Sequence, residues 1–273
     1  MIATTQTSTR TPAQVQPAAP RAGFGGALHA EWVKFATVRS IWWTCAALVG
    51  LGAGLTVIVC ALQANEVARF GSDDSPAEYL TWGMSLASLA AVVLAALVVT
   101  TEYASGMIRN TFTAVPSRGT VIAAKATLLA GILLVLGTAT ALAGYLGGNA
   151  FFTRAGVGVP LTGDMLRAVY GNGLYLAGLA VMTAALGFIL RNMASTIAAM
   201  IAVLVVVANL AGLVPGKLGQ LVTRVLPNAS GGAVANPSRN PGLWGVWTEF
   251  GVFAVEIAIL LGIAWVLARR RDA

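Results

Sequence analysis

The sequence predicts an all-α integral membrane protein with six spanning helices, and three observations carry that expectation. Hydrophobic residues make up 57% of the chain and charged residues only 10%, whereas soluble domains carry about a quarter charged residues. Six apolar runs, 41–62, 79–100, 123–145, 170–190, 194–214 and 248–267, reach the roughly 20 residues that cross a hydrocarbon core. None shows the alternating pattern of an outer-membrane strand, and backbone groups in lipid must pair within their own segment, so the runs are helices. Together they form one transmembrane domain over residues 26–273.

Ahead of the first span, residues 1–25 are rich in Thr, Ala, Pro and Gln with no apolar period, the composition of a disordered tail. They are not a secretory signal, because the first apolar run begins well downstream and is too long for a signal core. Leu28 to Ser40 then reads as an amphipathic helix. Leu28, Trp32 and Phe35 fall at i, i+4 and i+7, with Glu31 and Lys34 on the other side at pairing distance. Running through Arg39 into Trp42 and Trp43, this helix is placed to lie in the membrane interface, where indoles settle at headgroup level. A simple anchor and an elbow helix contacting a partner both fit these residues.

The connection between the second and third spans is the most informative stretch. Glu102-Tyr103-Ala104-Ser105-Gly106-Met107-Ile108-Arg109-Asn110-Thr111 is polar amid apolar surroundings and closes with Pro116-Ser117-Arg118. Read as a helix, it sets Glu102 and Arg109 two turns apart on one face with Gly106 between them, and Ile108 and Phe112 on another. Pro116 ends it, since proline lacks an N–H and disfavours helix in the residue before it. A short amphipathic helix on one side of a membrane is suited to docking a soluble partner. Farther on, Leu218, Leu221, Val222, Val225 and Leu226 give a second amphipathic helix in the long loop before the last span, stopped by Pro227. That helix is equally compatible with dipping into the bilayer and with lying on its surface.

Charge sets the orientation. The N-terminal segment, the connection after the second span, the short fourth connection and the tail hold eleven basic residues, against six on the other side. The first loop on that other side is acidic, with Glu66, Asp73, Asp74 and Glu78. The positive-inside rule therefore places both termini in the cytoplasm, and the net charge of +7 is a loop bias and not a nucleic-acid footprint. Three lysines among seventeen basic residues, with abundant Ala, Gly and Val, indicate a high-GC bacterial genome and so a plasma membrane. Within the spans, Glu256 lies about eight residues into the last one, roughly 12 Å deep at helical rise. Asn209 reaches a similar depth and is positioned as its hydrogen-bond partner; the pair is either functional or a tie between two helices. Gly50–Gly54 and Gly144–Gly148 are spacings that allow close helix approach.

Catalytic chemistry is not indicated. Cys45 and Cys60 both fall in the first span as apolar filler, without metal-ligand spacing. The single histidine, His29, lies outside the spans, and no intramembrane carboxylate pair exists. No phosphate-binding loop is present; Gly212 to Leu218 is one residue short and lacks the hydroxyl.

The order of these segments resembles the membrane subunit of ABC-2 type (type V) ABC transporters. It runs from Glu31-x-x-Lys34 and Arg39-Ser40-x-Trp42-Trp43 to an acidic loop, then Glu102-Tyr103-x-x-Gly106-x-Ile108-Arg109-x-Thr111, Pro116-x-Arg118 and Lys125. The similarity in arrangement covers about residues 27–270. The resemblance implies a permease forming the translocation pathway of an ATP-driven bacterial exporter, with two permease subunits, alike or related, among the membrane lipids. It also implies a separate cytoplasmic ATPase that binds the ATP and Mg, with no cofactor on this chain. By the same resemblance, Glu102, Gly106, Arg109, Thr111, Pro116 and Arg118 belong to the coupling region, and Glu31, Trp32, Lys34 and Arg39 to the interface helix. The region around Leu218–Leu226 matches a re-entrant loop. The rival expectation from the residues is a stand-alone membrane protein, either a carrier working through Glu256 or an assembly factor.

The orientation is testable by single-cysteine labelling in a background lacking Cys45 and Cys60. A cysteine replacing Ser75 should react with an impermeant maleimide in intact cells, and one replacing Ser117 should not. The reverse pattern overturns the assignment.

Overall fold

The computed structural model describes residues 23–71, 75–108, 111, 117–238 and 244–270. The expected disordered tail over 1–25 lies outside these residues up to position 22, and the chain is helical from Phe24. Helix α1 covers Phe24–Thr37. The six spans are α2 (Arg39–Phe70), α3 (Pro76–Ala104), α4 (Arg118–Arg154), α5 (Gly163–Leu190), α6 (Met193–Ala211) and α9 (Val246–Arg270). Between the last two lie α7 (Gly216–Val225) and α8 (Pro227–Gly232). No strand occurs among the described residues.

Each apolar run lies inside a longer helix, except that the fifth stops at Ala211, three residues before the sequence expectation. The 37 residues of α4 reach roughly 55 Å, well beyond a hydrocarbon core of about 30 Å. The helix is thus long enough to extend past the hydrocarbon core. Caps explain several ends. Ser75 accepts from the Ala77 N–H with Pro76 in the first helical turn, Thr162 caps α5, and Asn192 caps α6. Arg191 takes a left-handed conformation at φ 56°, so α5 and α6 turn back on each other within two residues.

Helices α3 and α5 form the core, with 67% and 72% of their most apolar windows buried, against 28%, 17% and 11% for α2, α6 and α9. Small residues allow the close approach. A Cβ on Gly137 of α4 would come within 3.0 Å of Gly173 of α5, and one on Gly148 within 2.8 Å of the Cys60 sulfur of α2. Gly144 packs against Thr56 one turn away, so the Gly144–Gly148 spacing is a real α2–α4 seam. In the first span only Gly52 packs within the chain; Gly50 and Gly54 face open space beside a π-helical turn over Gly50–Gly54.

The loop before α9 differs from its sequence expectation. Helix α7 leaves its apolar stripe uncovered, with Leu218, Leu221, Val222 and Val225 all exposed. Pro227 follows the end of α7 at Val225, as the sequence suggests, and also opens α8 as its first residue. That helix and a 3₁₀ turn over Ala233–Ala235 sink between α5 and α9, burying Ser230, Ala233 and Val234 completely. The Arg167 guanidinium fastens the descent by donating to the carbonyls of Ala233, Val234 and Asn236 at 3.3, 3.2 and 3.1 Å.

Replacing Gly148 with Leu should lower the thermal stability of the purified protein by about 1–3 kcal/mol through overpacking against Cys60. Gly54→Leu, with nothing near its Cβ within the chain, should change the stability of the single chain by less than about 0.5 kcal/mol.

Candidate functional site

Two carboxylates and two ammonium groups meet at the face of the bundle where α1 lies. Helix α1 turns Ala27, Glu31 and Phe35 inward, so Glu31 is 4% exposed, while Trp32 points out at 51%. This corrects the sequence expectation, which placed Trp32 with the apolar stripe and Glu31 opposite it. An indole is stable at a wet apolar boundary and does not need the core, whereas a buried carboxylate is tolerated only with partners. Glu31 finds two. Its Oε1 accepts from Lys34 Nζ at 2.8 Å, and its Oε2 accepts from Lys125 Nζ.

The second carboxylate, Glu102, occupies the last turn of α3 and is 5% exposed. Its Oε1 accepts from Lys34 and from Lys125, each at 2.9 Å. Lys125, in the second turn of α4, is 1% exposed and gives its third proton to the Val98 carbonyl at 3.2 Å. Lys34 gives its third to the Thr111 hydroxyl at 3.4 Å. Both ammonium groups thus fill all three donors, and the charges cancel. Burial works against the charge on Lys34, but hydrogen bonds to Glu31 and Glu102 outweigh it and hold its pKa above the ordinary lysine value. The quartet ties α1, the end of α3, the stretch beyond it and the start of α4 into one piece.

The polar stretch after α3 is not one helix. Helix α3 ends at Ala104, and Gly106 turns the chain at φ 71°, a conformation that favours glycine. The helix that carries Glu102 therefore ends before Gly106, and the charges that Glu102 meets are Lys34 and Lys125. Beyond the turn the Thr111 hydroxyl donates to the Met107 carbonyl, and Ile108 is buried. Arg109 and Pro116 lie outside the described residues. Arg118 donates to the Ala268 carbonyl at 2.6 Å, joining the start of α4 to the end of α9. Arg269 stacks on Trp265 nearby at 3.7 Å from the ring centre. Arg39 is exposed at the first turn of α2. Arg191 lies over the Tyr103 ring at 5.5 Å, linking the α5–α6 turn to the same face.

The expected Asn209–Glu256 pair is not formed. Asn209 donates to the Val205 carbonyl of its own helix, and Glu256 Oε2 is buried without a hydrogen-bond partner. Sequence reasoning missed that Glu31 is buried and that Lys125 joins both carboxylates. A signal existed: Lys125 falls inside an apolar run, and a cation there requires counter-charges on neighbouring helices.

Residues 27–221 match the family model for ABC-2 family transporter proteins, a span that contains the whole quartet. No curated protein matches the chain significantly. Lys125→Met leaves two buried carboxylates with one ammonium and should cost about 3–5 kcal/mol of stability, read by thermal unfolding in detergent. Lys34→Met also leaves the two carboxylates with one ammonium, but at a position that water reaches, and should cost less, about 1–2 kcal/mol. Because the Lys34 pKa is raised by folding, its contribution is complete below the free lysine value of about 10.4 and disappears as pH climbs through the folded value. Equal losses for the two variants contradict this division.

Proposed function

We propose that this chain, which belongs to the ABC-2 transporter family, works as the permease of an ATP-driven exporter whose ATPase is a separate cytoplasmic chain. The chain is a multi-pass membrane transport subunit; the coupling to ATP, the outward direction and the placement of both termini in the cytoplasm are our reading. In it, the ATPase binds ATP and Mg, docks against the stretch between α3 and α4, and moves it on closing. Arg109, Gly106 and Pro116 shape that docking stretch, Thr111 and Arg118 attach it to the bundle, and α1 rests in the membrane interface as a brace.

The observation that carries this reading is the buried quartet. A push on the stretch around Thr111 reaches Lys34 on α1, and through Glu31 and Glu102 it reaches Lys125 on the long helix α4. Charged groups held in one geometry move together, since separating any one strands a buried charge. The firm part of the lever is therefore the step from α1 and α3 to α4, and the Thr111 hydroxyl joins the docking stretch to it through Lys34. A ligand drives such a change only through unequal affinity for the two states, here ATP on the partner. We further propose two permease subunits per transporter. Supporting this, α2, α6 and α9 bury little of their surface within the chain, and Gly50 and Gly54 leave open space for a neighbour's helix.

Purification of the tagged chain from its own membranes should bring down an ATPase in fixed proportion, with two permeases per complex by mass measurement. Arg109→Glu should weaken that association about tenfold or more, the loss expected of a docking hot spot, while membrane insertion stays normal. Unchanged assembly together with unchanged ATP-driven transport in Arg109→Glu defeats the coupling assignment. One permease with its ATPase, still transporting, defeats the dimer.

A further inference from the structure

At the end of the bundle away from the charge quartet, α3, α5, α6 and the buried α8 segment enclose a cleft of about 580 Å³. That falls within the roughly 300–1,000 Å³ of small-molecule sites. Its wall is unusual for a helix bundle in lipid, where polar side chains are expensive and usually functional. Four asparagine amides line it: Asn172 on α5, Asn209 on α6, and Asn228 and Asn236 from the segment clamped by Arg167. Asn172 is only 3% exposed, about 14 Å into α5 at helical rise. Its Nδ2 donates to the carbonyls of Ala168 and Ala235, and its Oδ1 accepts no hydrogen bond from a described residue. The hydroxyls of Ser85 and Ser88 add further acceptors on α3, their protons already committed to the carbonyls of Trp82 and Ser85. Leu86, Leu89, Leu204 and Val205 complete the wall on its membrane side.

The charge content of the wall selects a ligand class. No lysine or arginine among the described residues lines the cleft, and its one ionisable carboxylate is Glu78. An anionic head group would meet no counter-charge among the described lining residues and would face a carboxylate, whereas hydroxyl and amide groups would find acceptors and donors in reach. We propose that this cleft binds an uncharged amphiphile, its hydroxyl- or amide-bearing head against the asparagines and its hydrocarbon part against the leucine side. Calling that amphiphile a cargo of transport rests on the permease reading above; the binding itself does not.

The test uses the full chain alone in lipid nanodiscs, with two photoreactive probes sharing one diazirine-bearing octyl chain. One carries a glucosyl head and the other a sulfate head, and labelled residues are mapped by peptide mass spectrometry. The glucosyl probe should label residues 82–89 and 204–209 saturably, and the sulfate probe should label them no more than it labels the rest of the lipid-facing surface. Asn209→Leu and Ser85→Ala, two exposed positions whose replacement unpairs no buried group, should each weaken glucosyl labelling about three- to tenfold. Equal labelling by both heads, or labelling that neither substitution changes, overturns the proposal. Because no ATPase is present, either result leaves the permease reading intact; loss of ATPase association, conversely, leaves the cleft assignment intact.

Discussion

Four ionisable groups meet at one end of the bundle, and their mutual pairing constrains the helices near them, although the second oxygen of Glu102 is buried without a hydrogen-bond partner among the described residues. Lys125 is all but buried at 1% exposure, and an ammonium in that position persists only if carboxylates surround it. Glu31 and Glu102 come from different helices, so α1 must lie against α3 and α4 at one angle and one depth. Lys34, at the edge, closes the arrangement and extends it to Thr111 beyond the Gly106 turn. An apolar contact can repack around a small shift without stranding a charge. This one cannot, because each displacement leaves a buried charge without a partner.

The opposite end is organised by hydrogen bonds from one cation. Arg167 holds three backbone carbonyls of the chain that follows α8, and Gly171 lets that chain pass close to α5. Three carbonyls of this largely non-helical segment thereby find a donor inside the bundle, the kind of pairing lipid demands of non-helical chain. The same clamp positions Asn228 and Asn236 opposite Asn209, which is what makes a polar cleft possible in an apolar bundle. Helix α4 spans the distance between the two ends, with Lys125 near one terminus and Gly148, packed on Cys60, near the other.

The six spans were legible in the sequence because lipid imposes one requirement, length and apolarity, on every crossing helix. Their relations were not. Glu31 and Lys125 are 94 positions apart and Glu102 and Lys125 are 23 apart, so no helical spacing brings either pair together on paper. Glu31 was misplaced because Trp32 was grouped with Leu28 and Phe35 on the apolar stripe, whereas the inward face carries Ala27, Glu31 and Phe35. The continuous helix joining Glu102 to Arg109 failed at Gly106, where the freedom of glycine to take positive φ outweighed the apolar period on either side. The Gly144–Gly148 spacing did mark a seam, yet Gly50–Gly54, with the same spacing, faces open space; the motif reports permission for close approach and not a partner. Pro227 was read as a stop, and it also starts α8, two roles that one residue's geometry permits equally.

The rigidity of the quartet is the claim on which the rest turns, and a distance measurement reaches it directly. Spin labels at Val33 on α1 and Leu146 on α4, both exposed at 45% and 60%, report how firmly α1 is fixed to the long helix. Electron–electron double resonance on the full chain in nanodiscs should give one narrow distance distribution. Lys125→Met should broaden it or split it, with the protein still helical and inserted. A distribution that stays equally narrow without Lys125 would contradict the account, since apolar packing alone would then be holding α1 in place.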